Sequence, residues 1–475
     1  MPAHAASVLR RRPLGSDALV PALAAGAAVA TGAALALAGP VVALAPIGLV
    51  ALVLLAARPR LLLLLYAAAI VLFEDDELGF LPQRGALYDG VPSVADLTFG
   101  VLAAATLVWL VQQRRTIRSP EPFTLALALL ALALVGGALV GVTSGGDPAD
   151  IVNSLRAFAP LLVLPLLVVN LIDDERLLVR AAAVGAALAG LKGLEGVIAW
   201  RTGAGRPLEG TTITFYEPAS NFLLLVFVVG VVAAFLLKVR VPLWVLLALP
   251  VAAAAFVFSY RRNFWIAGLL ALGLLLVLSR LQGDRRMLMP IAALVAVAVA
   301  AAVTWRGPPE LEGPVAERFT SLRPAQITSN PYDRYRLDEQ KNVIAEIRGN
   351  PVLGIGLGVP WDVTQPLPVE LEGGRLYTHT VALWYWLKLG LAGLVAYVWL
   401  VLATVIAALT VARRSRNGVV RATALGLAVA TIGMVVAETT GSFTGVSDRY
   451  SVLVALAIGW VASARRIVRE SAQPA

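Results

Sequence analysis

The chain has two histidines and no cysteine. Thiolate chemistry, disulfides and His-rich metal sites are therefore excluded. His4 lies near the N-terminus. His379 sits in Tyr377-Thr378-His379-Thr380, and after nine intervening residues comes Gly390-Leu391-Ala392-Gly393. Histidine is the side chain whose charge changes near neutrality, so His379 suits proton transfer. Read without further context, it is equally an interfacial histidine followed by packing glycines that let helices approach closely.

Guanidiniums supply the other chemistry. Only Lys192, Lys238, Lys341 and Lys388 are lysine among 39 basic residues; the rest are arginine, which grips phosphate bidentately. Arg261 and Arg262 fall in Ser259-Tyr260-Arg261-Arg262-Asn263, a short turn between apolar runs, where two cations repel each other and an anionic ligand would relieve both. Snorkelling to lipid phosphates is the alternative. Arg206 opens Arg206-Pro207-Leu208-Glu209-Gly210, followed by Glu217-Pro218 and Asn221. Arg336 lies fifteen residues before Pro351, on what reads as a solvated helix face. Together these arginines suit a diphosphate, holding it and stabilising it as it departs. His379 then takes a proton from an acceptor hydroxyl. Glu217, Glu209, Asp362, Glu370 and Glu372 are alternative bases, and no Asp-rich metal motif is present.

These residues are positioned by apolar segments. The chain is 59% hydrophobic with a mean hydropathy of +0.81. A spanning helix needs roughly 20 apolar residues, and candidate spans fall at 18–38, 41–57, 61–73, 94–112, 122–142, 152–171, 176–199, 218–238, 241–258, 263–280, 286–304, 381–412, 418–438 and 450–465. The third is short and the twelfth long, so the expectation is an all-α polytopic transmembrane protein of 12–14 spans. The run after Arg10–Arg12 reads as the first permanent span, not a cleaved leader.

With that N-terminus inside, alternate connections carry Arg58/Arg60, Arg114/Arg115/Arg118, Arg176/Arg180, Lys238/Arg240, Arg280/Arg285/Arg286, Arg413/Arg414/Arg416 and Arg465/Arg466/Arg469. The opposite connections carry Glu74–Glu77, Asp147 and Asp150. This is the positive-inside pattern. The net charge of +9 reflects topology and gives no reason to invoke nucleic acid. On the outer face Arg206, Arg261, Arg262, Arg334, Arg336, Arg375 and Arg449 run against that bias, so each needs a reason.

The expected organisation is transmembrane helices over 1–304, one large extracytoplasmic loop over 305–378, and C-terminal spans over 379–475. In the loop, 334–348 reads as an amphipathic helix with Leu337, Ile344 and Ile347 on one side. Asn350-Pro351 ends it. Gly354-Ile355-Gly356-Leu357-Gly358 lacks GxGxxG spacing and a strand–turn–helix setting. It reads as a flexible glycine turn leading back to the membrane.

Over roughly residues 60–465 the chain resembles the O-antigen ligase and O-antigen polymerase superfamily of bacterial membrane glycosyltransferases. His379-Thr380 through Gly390 and Gly393 matches its ligase motif, with Thr380 where Asn, Ser or Gln is usual. Arg262 matches the arginine before a span. Arg206, Gly210, Pro218 and Asn221 match the arginine–glycine and proline–asparagine pattern, and Arg336 the arginine ahead of a Pro-Leu-Gly-x-Gly turn. The resemblance implies an undecaprenyl-diphosphate-linked glycan donor, and metal-independent, generally inverting transfer at the outer face of the cytoplasmic membrane. It implies no cofactor, and a lipid, protein or glycan acceptor. It also implies that Arg206 and Arg262, with Arg261 and Arg336, bind the diphosphate, and that His379 activates the acceptor.

A polymerase of lipid-linked repeats is the near alternative to a ligase. A lipid-linked glycan transporter is the more distant one, suggested by the deep charges Lys192, Glu195 and Lys388. A scaffold without catalysis is the third.

Overall fold

A computed structural model describes residues 57–72, 93–202, 206–208, 211–213, 218–259, 261–280, 331–369, 374–441 and 443–472. Twelve α-helices lie in these residues: α1 Pro59–Leu72, α2 Val94–Gln112, α3 Thr124–Thr143, α4 Pro148–Leu171, α5 Glu175–Thr202, α6 Pro218–Leu236, α7 Leu243–Phe258, α8 Arg262–Arg280, α9 Pro331–Gly349, α10 Val381–Arg414, α11 Gly418–Ala437 and α12 Asp448–Ala472. A two-stranded antiparallel hairpin, β1 Arg206–Leu208 with β2 Thr211–Ile213, joins α5 to α6.

Among the described residues eight helices are long and apolar enough to cross a membrane, and three shorter apolar ones accompany them. Eleven of the expected spans thus fall on described helices, and the chain is a polytopic helical membrane protein. The segments expected at 18–38, 41–57 and 286–304, and the acidic run Glu74–Glu77, lie outside the described residues.

The chain forms two units. The smaller takes in residues 1–63 and 100–115. Its described part places Arg60 5.4 Å and Arg115 4.8 Å from the Trp109 ring, a cation–π pairing that covers the ring with charge at a helix end.

In the larger unit, 64–99 and 116–475, the helices alternate end for end. One end gathers the basic turns. Asn170 exchanges hydrogen bonds with the Arg118 backbone, Arg466 donates to Ile172, and Asn417 donates to Glu175. α9 and its neighbours lie at the other end. There Asp147 N-caps α4 by accepting from Ala149 N–H at 2.8 Å, with Pro148 pre-set for the first turn.

Three of the anomalous cations have local structural partners. Arg449, 1% exposed, donates to the Ile70 and Val71 carbonyls at 2.8 and 3.0 Å, capping the end of α1. Arg375 donates to the Trp361 carbonyl and lies 3.8 Å from Asp362. Arg334 lies 3.6 Å from Asp338, one turn along α9.

α10 is two helices. Its long apolar run breaks at Gly390, with φ +67° and ψ −166°. Residues 391–414 alone extend roughly 36 Å, enough to span. The break admits the turn 351–359. Leu391 N–H donates to Val352 O at 3.1 Å, and Ile355 N–H to Leu387 O at 2.7 Å. On the far side Leu357 N–H donates to Gly137 O of α3 at 2.9 Å, and Asp147 N–H to Gly358 O at 3.2 Å. Lys388 donates to the Val359 carbonyl. Gly390 does permit a close approach, as expected, but of this turn and not of another helix. The glycine turn is pinned on both sides by backbone hydrogen bonds, not left flexible.

α9 begins at Pro331 and is phased differently from the expectation. Leu337 and Ile344 are exposed, at 44% and 39%. The buried side carries Asp333, Tyr335, Glu339, Asn342, Val343 and Ile347. Polar partners decide this phase. Asn342 ties the helix to 364–365, accepting from Thr364 Oγ1 at 2.7 Å and Gln365 N–H at 2.6 Å and donating to Gln365 O. Val343 and Ile347 close against Ile355, Trp361 and Leu387.

Candidate functional site

The site lies where the first turns of α8 and α10 meet the buried side of α9. The C-terminal end of α11 fixes both. Its carbonyls have no partner within the helix. Asn263 of α8 donates to Ala437 O at 3.3 Å, Val381 N–H of α10 to Glu438 O at 3.0 Å, and Thr380 Oγ1 to Thr439 O at 2.9 Å. Gln340 of α9 then donates to Thr380 Oγ1 at 2.9 Å, which joins all four helices.

Arg262 occupies the first position of α8, where its charge opposes the positive helix end and calls for an anion. Asp333 supplies it. Arg262 Nη2 lies 2.8 Å from Asp333 Oδ1 and 2.9 Å from Oδ2. Arg336, one turn further along α9, reaches the same Oδ1 at 3.4 Å. Asp333 is buried, so two guanidiniums meet one carboxylate in a low-dielectric corner. Burial lowers the Arg336 pKa, with Asp333 opposing and Arg262 reinforcing the shift.

Glu339, six residues and roughly 9 Å along the helix from Asp333, holds His379. His379 Nδ1 lies 3.0 Å from Glu339 Oε2 and 3.1 Å from Oε1, and the His379 backbone N–H donates to Oε2 at 2.9 Å. Glu339 is 1% exposed. The imidazole is flanked by Tyr335 in an edge-to-face contact at 5.8 Å and by Tyr377 at 5.4 Å. Burial pushes the Tyr335 phenol up to about 12, with Glu339 and Tyr377 adding to it, so its hydroxyl stays neutral.

The carboxylate partner fixes the ring. In a neutral ring, a proton on Nδ1 directed at Glu339 leaves Nε2 as the acceptor. The arrangement supplies a paired-arginine anion site and an oriented imidazole base on neighbouring surfaces of one helix. Among the described residues no three His, Asp or Glu side chains gather as a metal site would require.

The structure therefore brings Arg262, Arg336 and His379 onto α9. Arg261 immediately precedes α8, and its carbonyl accepts from Phe264 and Trp265 N–H at 3.1 and 3.2 Å. The Arg206 backbone opens β1, paired with Ile213, and its side chain lies outside the described residues. So do Glu209, Glu217, Glu370 and Glu372. Asp362 is exposed and faces Arg375.

Sequence reasoning missed Asp333 and Glu339. The missed signal was the stripe Asp333, Arg336, Gln340, Val343, Ile347, spaced three and four apart, which takes in Asp333 and passes beside Glu339. It is polar in its first half because it faces polar partners there.

The helices define a polytopic membrane protein, and one end of it gathers Arg262, Arg336 and Asp333 beside the His379–Glu339 pair. Residues 244–398, a part of the chain, match the family model described as O-Antigen ligase. The matched segment runs from α7 into α10 and contains Arg262, Asp333, Arg336, Glu339 and His379. No curated protein matches the chain.

Proposed function

We propose that the chain transfers a glycan from an undecaprenyl-diphosphate-linked donor to an acceptor hydroxyl at the outer face of a bacterial cytoplasmic membrane, acting as a ligase. The observation that carries this reading is the convergence of Arg262 and Arg336 on Asp333, less than two turns of α9 from the His379–Glu339 pair. The basic turns at the opposite end of the helices support the outer placement of α9.

In this reading the arginines, joined by Arg261 and Arg206, hold the diphosphate. The acceptor oxygen attacks the anomeric carbon as the bond to the diphosphate oxygen breaks. The acceptor proton passes to His379 Nε2. Charge growing on the leaving diphosphate is met by the guanidiniums, so no metal is needed for that task. Glu339 stabilises the imidazolium formed on His379.

A polymerase would use the same chemistry with a lipid-linked glycan as acceptor. The deep charges behind the transport reading have local roles: Lys192 pairs with Glu195 at 2.8 Å, and Lys388 holds the 351–359 turn. The test is transfer by purified protein from undecaprenyl-diphosphate glycan to lipid, protein or lipid-linked glycan acceptors, comparing wild type with His379→Ala and Arg262→Ala. Transfer that survives both substitutions would refute the reading.

A further inference from the structure

Asp333 is at odds with a simple diphosphate site. A carboxylate placed between two guanidiniums takes the hydrogen-bond directions a phosphate oxygen would use. Arg262 Nη2 contacts both Asp333 oxygens, and Arg336 contacts Oδ1. The acid is buried and sits in the first turn of α9. An internal anion there weakens the site for any external one.

The chemistry of the reaction gives that weakening a use. The glycan donor is a diphosphate diester. Once the glycan leaves, the lipid diphosphate ends in a phosphate monoester with one more ionisable oxygen, whose proton is lost near pH 6. Two arginines alone would hold this product more tightly than the donor, and turnover would stall on release. A carboxylate tethered to the same arginines competes at a fixed high effective concentration. It displaces the product without a conformational change larger than a side-chain rotation.

Resting on the diphosphate reading above, we propose that Asp333 is an intramolecular competitor for Arg262 and Arg336 that ejects the lipid diphosphate product. Asp333 pairs with the arginines between turnovers, yields them to the donor, and takes them back after transfer. The apparent affinity of the site for diphosphate is its intrinsic affinity reduced by the fraction of time Asp333 leaves the arginines available.

The test is binding of inorganic pyrophosphate and of undecaprenyl diphosphate to the full-length protein in detergent, by calorimetry, for wild type, Asp333→Asn and Arg262→Ala. Asparagine keeps the shape and an acceptor oxygen but removes the charge. If the arginines are available about a tenth of the time, Asp333→Asn tightens both ligands roughly tenfold. Turnover falls while single-turnover transfer is kept, because release becomes limiting. Asp333→Ser supplies the same comparison if the asparagine variant does not fold. Unchanged or weaker binding in the folded Asp333 variants overturns the proposal, since a merely positioning acid would loosen the site when removed. If Arg262→Ala binds pyrophosphate as wild type does, the diphosphate reading itself fails and the competitor fails with it.

Discussion

His379 Nδ1 lies 3.0 Å from Glu339 Oε2, and the backbone N–H of the same histidine donates to that oxygen at 2.9 Å. One buried carboxylate thus fixes both the ring and the chain that carries it. Glu339→Gln keeps a hydrogen-bonding group of the same size but removes the charge that holds the Nδ1 tautomer and stabilises the imidazolium. The expected outcome is a fall in the single-turnover transfer rate of about 100-fold or more, the range of general-base loss, with donor KM little changed. His379→Ala should fall at least as far. The double variant should fall no further than His379→Ala, because the two groups act as a unit. Additive losses in stopped-flow or quenched transfer assays would show that Glu339 does not work through His379.

Arg262 meets both Asp333 oxygens through one terminal nitrogen, whereas the planar guanidinium fork can address a phosphate through two nitrogens at once. Arg262→Lys keeps the charge and loses the fork. Donor KM should rise about tenfold, near 1.4 kcal/mol, while the thermal midpoint of the purified protein stays within a few degrees of wild type. A KM as low as wild type would mean that a point charge suffices and that directional phosphate contacts are absent.

Most of the helical frame was legible because each span carries its own apolar signature, and because the basic turns mark alternate ends whatever the tertiary packing. The site was only half legible. Arg262 and His379 stood out as charges at span boundaries. Asp333 and Glu339 looked like ordinary members of a polar helix, since their partners are 71 and 40 residues away. The α9 phase was misread from Leu337 and Ile344, which are apolar but exposed. The helix is oriented by Asn342 and the acid–base contacts, not by its largest side chains. Arg449 carried no local hint of its purpose, because the carbonyls it caps lie 379 and 378 residues earlier. Arg206 and Glu217 remain expectations from spacing and resemblance.

Gly390 sits at φ +67° and ψ −166°, a region open essentially to glycine alone. A Cβ there would lie 2.1 Å from the Val352 carbonyl oxygen, so the turn 351–359 would have to leave its seat on α10. Gly390→Ala should cost about 3 kcal/mol or more. The thermal midpoint in detergent should fall by about 3 °C or more, and transfer should drop because α9 loses its anchor. Gly136→Ala in α3, with no atom within 4 Å of the added methyl, is the control. It should leave the midpoint unchanged or slightly raised, because alanine favours a helix over glycine. Equal effects at the two positions would rule out the packing argument.

Tyr335 gives the site a defined alkaline limit. Its phenol is raised to about 12, first by burial and then by Glu339 and Tyr377, against about 10 for an unfolded chain. The folded state therefore favours the protonated phenol. The contribution is fully present below pH 10 and is lost as pH rises from there through 12, because the unfolded chain gives up the proton first. Two pKa units correspond to about 3 kcal/mol at most. Tyr335→Phe has no proton to lose and keeps the edge-to-face contact with His379 at 5.8 Å. Thermal midpoints measured for both proteins between pH 8 and 11.5 should coincide in their alkaline slope at first. They should then diverge above pH 10, with wild type falling more steeply. Parallel curves across that range would mean that the phenolate forms without loosening α9, and that Tyr335 is not enclosed beside Glu339 as the geometry requires.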